Sequence, residues 1–176
     1  MHAFLLPNGF TVVDTAAAYA AAPTGNATQF AGVLNDGSVT MTGDTAFTLA
    51  GFDFGFIAPF PGLSGSAGMV QIVAVATNGD LLFDAFDFGQ ANQAGNWAFN
   101  TASLANRALD GRFLTSVTFF ACMYSDPPDN LCSYPANNLA QFAIDNIRGQ
   151  IPEPGSLALA VAAVCLAGAA RRRRAA

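Results

Sequence analysis

The chain predicts an all-β body, an antiparallel β-sandwich, followed by a single C-terminal hydrophobic helix. Three observations carry that reading. Apolar residues alternate with period two, most clearly at Phe52, Phe54 and Phe56, which places them on one face with Asp53 and Gly55 on the other. Turn-forming residues return every ~8–12 positions and separate about seven to nine candidate strands, the spacing of a two-sheet antiparallel body. The amphipathic helices that a parallel α/β fold needs between its strands are missing. The apolar run from Leu157 to Ala170 has no polar stripe at all, unlike a helix packed on a soluble core.

Taken in order, Phe10–Val13 reads as a short strand after the Asn8-Gly9 turn, and Ala16–Ala27, broken by Pro23 and Gly25, as loose chain. Residues 1–28 form a poorly structured N-terminal segment, 29–149 the sandwich domain and 150–176 a tail. Ser38–Thr42 alternates polar and apolar, and Phe47–Ile57 is the clearest strand, ended by Pro59 and Pro61-Gly62. Gly62–Gly68 is a glycine-serine loop. Met69–Thr77, rich in Val and Ile, reads as a strand buried on both sides. Asn78-Gly79 predicts a two-residue hairpin leading into Leu81–Phe88. Gly89–Gly95 is a polar loop, Trp97 and Phe99 alternate as a short strand, and Ser103–Leu109 has room for one helical turn. Phe113–Tyr124 is a long β-rich run, and Gln141–Arg148 closes the body with Phe142 and Ile144 on one side. No internal repeat is visible, which argues against propellers and solenoids.

Composition narrows the function classes. Lys+Arg number 7 against 12 Asp+Glu. Only Arg107, Arg112 and Arg148 precede the tail, and there is no lysine, so the body lacks the cationic face that nucleic-acid binding requires. With 52% hydrophobic residues and 16 Phe, the body has ample material for a core and is not a disordered chain. The one histidine, His2, sits at the terminus, which leaves a histidine-assisted Ser or Cys nucleophile without a base and argues against a zinc site. No glycine-rich loop leads into a helix, so nucleotide binding has no support.

The tail has three parts in fixed order. Pro152-Glu153-Pro154 cannot enter a ladder or a helix interior. The apolar run carried by Leu157, Leu159, Val161, Val164 and Leu166 bears no charge. Arg171, Arg172, Arg173 and Arg174 then stop further movement into lipid and mark the cytoplasmic side. This arrangement resembles the PEP-CTERM sorting signal of exported bacterial proteins. The resemblance implies recognition and cutting near Pro152-Glu153-Pro154 by an exosortase, a membrane-embedded enzyme for which these residues are substrate. It also implies at least transient membrane anchoring, then delivery to the cell surface or extracellular matrix of a Gram-negative bacterium. A plain tail anchor or a buried core helix are the alternatives. The run is shorter than the ~20 residues of a full span. The first residues lack the basic and apolar regions of a signal peptide, so the expectation is a true start further upstream or a decayed copy.

Outside the cytoplasm, Cys122 and Cys132 should form a disulfide around a turn-rich insert, restricting the unfolded chain by ~2–3 kcal/mol. The alternative is two free buried thiols. Cys165 lies within the apolar run.

Phe142-Ala143-Ile144-Asp145-Asn146-Ile147 resembles the last strand of jelly-roll modules of the galactose-binding and carbohydrate-binding type, in which the aspartate helps hold structural calcium. That resemblance implies a jelly-roll-like body and makes Asp145 a candidate calcium ligand. The alternative is that Asp145 and Asn146 bond nearby backbone at a strand end. Asp84 and Asp87 with Asp80, or Asp53, resemble the paired acids of a glycosidase, but solvated edge positions are the simpler account of them. Trp97, Tyr124 and Tyr134 are candidates to stack on sugar rings, with core packing the alternative for Trp97. The expected function is therefore a non-enzymatic exported surface or matrix protein with no cofactor beyond that calcium. A module binding extracellular polysaccharide is the alternative, and a secreted hydrolase stands third.

Overall fold

The computed structural model describes residues 10–13, 23–34, 36–58, 67–124, 131–133 and 139–151. The tail from Pro152, the predicted C-terminal helix, His2, Tyr134 and most of the loop at 62–68 lie outside the described residues.

Nine strands follow one another: β1 Phe10–Val13, β2 Phe30–Val33, β3 Ser38–Phe56, β4 Gly68–Ala76, β5 Leu81–Asp87, β6 Asn100–Ser103, β7 Leu114–Tyr124, β8 Cys132–Ser133 and β9 Phe142–Gln150. Every pairing between strands is antiparallel. Among the described residues there is no helix. One layer runs β1-β2-β9-β3, with β6 also on β3, and the other runs β3-β7-β4-β5, with β8 on β7.

β3 belongs to both layers. Ser38–Thr42 pairs with β7, the register shifts between Thr42 and Phe47, and Thr48–Phe56 pairs with β9. The two strands expected at Ser38–Thr42 and Phe47–Ile57 are thus one 19-residue strand. The polar Gly43-Asp44-Thr45 step, which reads as a turn, is a bulge. A bulge bends a strand and steepens its twist without ending it.

The core lies between the layers. Phe52, Phe54 and Phe56 all point inward and are at most 2% exposed. Phe52 meets Phe119 edge-on at 5.1 Å and Phe86 at 5.6 Å, and Phe56 meets Trp97 at 4.9 Å. Edge-to-face packing of this kind adds about 0.5–1.5 kcal/mol per pair beyond area burial. Leu104 and Leu109, on three successive turns between β6 and β7, plug one side of this core. That segment makes no helical turn.

Three local expectations change in the folded chain. β4 is buried on one side only: Val70, Ile72 and Ala74 face the core, whereas Met69, Gln71, Val73 and Val75 face outward and are half-buried. The β4–β5 loop has three residues rather than two. The Gly79 amide donates to the Ala76 carbonyl and the Ala76 amide to the Asp80 carbonyl, with Gly79 at φ 88°. Only Gly79 takes positive φ, because the Asn78 side chain bonds Asp80 instead, so the loop is a type I turn with a glycine bulge. Trp97 and Phe99 form no strand. Their segment holds Thr24 through the parallel Thr24–Ala98 bridge, and Trp97 is buried.

Candidate functional site

The body hands the chain to its tail at the end of β9. β9 lies between β2 and β3, and its last pair is Gln150 with Thr48. The Gln150 amide donates to Thr48 Oγ1 at 3.3 Å. One residue later Ile151 is 69% exposed. The ladder therefore stops just before two prolines that could not join it. Pro152, Glu153 and Pro154, the apolar run at Leu157, Leu159, Val161, Val164 and Leu166, and Arg171–Arg174 lie outside the described residues. No helix among the described residues is long and apolar enough to cross a membrane.

Upstream on β9, Asp145 and Asn146 sit at a bulge within the strand, not at its end. Asp53 faces Asp145, and Gly51 faces Arg148, so Asn146 and Ile147 together oppose Phe52. Asn146 takes the left-handed conformation, φ 46°, which an Asn tolerates better than most residues. That twist brings its Nδ2 to Asp53 Oδ2 at 2.8 Å. Asp53 also accepts from Thr101 Oγ1 at 2.8 Å and Arg148 Nη1 at 3.3 Å. Burial pushes the Asp53 carboxyl up, but Asn146, Thr101 and the Arg148 charge together hold it below the usual carboxylate range.

Asp145 Oδ2 accepts from Asn26 Nδ2 at 2.7 Å and Thr28 Oγ1 at 2.6 Å, and its Oδ1 accepts from the Asn146 amide at 2.8 Å. Backbone bonding by Asp145 thus occurs, but at a bulge, and its main partners come from residues over a hundred positions away. Calcium takes six to eight oxygens. Among the described residues no group of three or more His, Cys, Asp or Glu gathers. Among the described residues, Asp53 faces Asp145 in the register and is paired with Arg148.

The remaining acids are held apart by separate partners. Asp84 forms a bidentate pair with Arg107, whose guanidinium also lies 4.2 Å over the Phe86 ring. Arg107 Nη2 donates to the Ala85 carbonyl and Asp84 Oδ1 accepts from the Ala85 amide, which occupies both main-chain groups of Ala85 on the free edge of β5. Asp80 pairs with Arg112 at 2.9 Å. Asp87 accepts from Tyr124 Oη at 2.5 Å and from the Gly89 amide. Burial, and then the Asp87 carboxylate, push the Tyr124 phenol up to about 12. All three arginines of the body thus serve different aspartates.

Cys122 and Cys132 form the disulfide, with their α-carbons 5.5 Å apart. It closes one end of a shallow groove on the outer face of the second layer. Gln71 Nε2 reaches Cys132 Sγ at 3.4 Å. Beyond it the groove, about 400 Å³, is lined by Val73, Phe83, Ala85 and Phe120. Phe83 is 62% exposed. Trp97, by contrast, is a core residue and offers no stacking face. The sequence reading did not single out Phe83 or Phe120. The available signal was a strand, Leu81–Asp87, with apolar residues on both of its faces.

The described body is antiparallel and all-β, and its last strand, β9, ends one residue before the exposed Ile151. Residues 150–174 match the family described as the PEP-CTERM protein-sorting motif. That motif marks an exported, envelope-sorted protein and implies processing by an exosortase. No curated protein and no solved structure matches the chain.

Proposed function

We propose that this is a non-enzymatic protein of the cell surface or extracellular matrix, carried there by its tail. Pro152-Glu153-Pro154 is the segment the exosortase engages. The apolar run around Leu157, Leu159, Val161, Val164 and Leu166 holds the chain in the bilayer until cleavage, and Arg171–Arg174 stays on the cytoplasmic side. One observation carries the reading: the matched motif begins where β9 ends, at an exposed Ile151, so the folded body leaves the motif accessible. Mass spectrometry of the mature C-terminus in cells with and without the processing enzyme tests it. The expected result is loss of the arginine end only where the enzyme is present. An intact arginine end in both strains reduces the tail to a plain anchor.

A second reading, binding of extracellular polysaccharide, is favoured by the groove at Phe83 and Phe120. An exposed ring next to the Gln71 amide supplies a stacking surface and a hydrogen-bonding group for a sugar. The layer orders β2-β9-β3-β6 and β3-β7-β4-β5, with β1 and β8 added at their edges, support a jelly-roll-like topology for the body. In affinity electrophoresis against matrix polysaccharide, retardation of the full chain that disappears in Phe83→Ser is the expected outcome. Equal retardation of both removes the groove from the argument.

A further inference from the structure

The register places one rim of the sandwich beside the chain exit. Across the second layer, Val75 faces Leu81 and Ala76 faces Leu114. Leu114 also faces Phe47, and the next residue, Thr48, faces Gln150. The Thr77 amide donates to the Phe113 carbonyl at 2.9 Å. The β4–β5 turn, the start of β7, the corner of β3 and the end of β9 therefore form one continuous row. Three large apolar side chains stand exposed along it: Leu81 at 60%, Phe113 at 50% and Ile151 at 69%. The cation on this row, Arg112, is paired with Asp80.

The covalent geometry supplies the occupant. Six α-carbon steps separate Ile151 from Leu157, the first residue of the apolar run, a reach of at most about 20 Å. Two of the intervening residues, Pro152 and Pro154, have fixed φ and keep the connection stiff. Resting on the reading that the apolar run sits in a bilayer, we propose that the Leu81–Phe113–Ile151 rim docks on the outer lipid surface while the tail is uncut. The body then stands on this rim, with the disulfide end of the groove pointing away from the membrane. The exposed Asp44, in the β3 bulge of the same rim, is repelled by an anionic surface, so the surface that fits is a neutral, zwitterionic one reached through apolar contact. Cleavage of the tail removes the tether, and three side chains alone hold a protein only weakly.

The test uses the full chain with Cys165→Ala in phosphatidylcholine vesicles and a nitroxide at Phe113→Cys or Leu81→Cys. Gln93→Cys, exposed in the loop after β5 and thus at the far end, is the reference. Flotation of the vesicles reports whether the tail inserts. The expected result is co-flotation, with collision by an aqueous nickel chelate several-fold lower at 113 and 81 than at 93, and collision by oxygen higher. Co-flotation with equal nickel access at all three positions overturns the docked rim and leaves the tail reading intact. Failure to float overturns both. Protection at 113 that needs no vesicles and grows with protein concentration assigns the rim to a second copy and overturns the proposal.

Discussion

The two outer faces of the sandwich are built from similar strands and end up opposite in character. On the first layer, residues 23–28 lie across the sheet. Pro23 covers Gly55 so closely that a Cβ there would meet the Pro23 ring at 2.7 Å. Asn26 and Thr28 bond Asp145, and Thr101, Asn146 and Arg148 bond Asp53. On the second layer, Val73, Val75, Leu81, Phe83 and Phe120 face outward, and among the described residues the disulfide segment lies at one end. The difference teaches that strand composition did not choose which face would close. A segment outside the strands did, by arriving with two hydrogen-bond donors for the Asp145 carboxylate.

Both faces depend on the aromatic layer between them, so the largest expected effect comes from removing its centre. Phe52→Ala deletes a fully buried ring that touches Phe54, Phe86 and Phe119, and should cost about 3–5 kcal/mol in urea unfolding. A cost near zero would mean that the two layers do not share this core. An intermediate effect belongs to the closed face. Asp53→Asn leaves Arg148 without its carboxylate and should cost about 1–2 kcal/mol. Because the Asp53 carboxyl titrates below its usual range when folded, its contribution is present above the unfolded value of about 3.9 and is lost as pH falls through the folded value. The wild-type chain should therefore lose stability below pH ~4 more steeply than Asp53→Asn. Identical acid limbs in the two unfolding curves would show that Asp53 is solvated rather than held. The smallest effect belongs to the open face: Phe83→Ser should change stability by less than about 0.5 kcal/mol. A larger loss would show that this face is covered after all.

Much of this fold is legible in the residues. The inward row of Phe52, Phe54 and Phe56 follows from a side-chain period of two, which is local geometry. The Cys122–Cys132 pairing follows from a short insert between two cysteines and an oxidising destination. The continuity of β3 through Gly43–Thr45 was not legible, because a bulge and a turn use the same residues and differ only in which neighbour holds the flanking strand. The role of Asn26 and Thr28 was not legible either. They sit in a stretch of low complexity, and their partner lies more than a hundred residues downstream.

The sequence by itself determined the all-β class, the tail with its sorting motif and the acidic surface, since each is a matter of periodicity, covalent order or charge count. Only the tertiary structure decided what the acids do, which aromatic rings face water and which rim lies beside the tail. Those depend on strand register, and register is set by all the paired strands together, so no segment carries it alone.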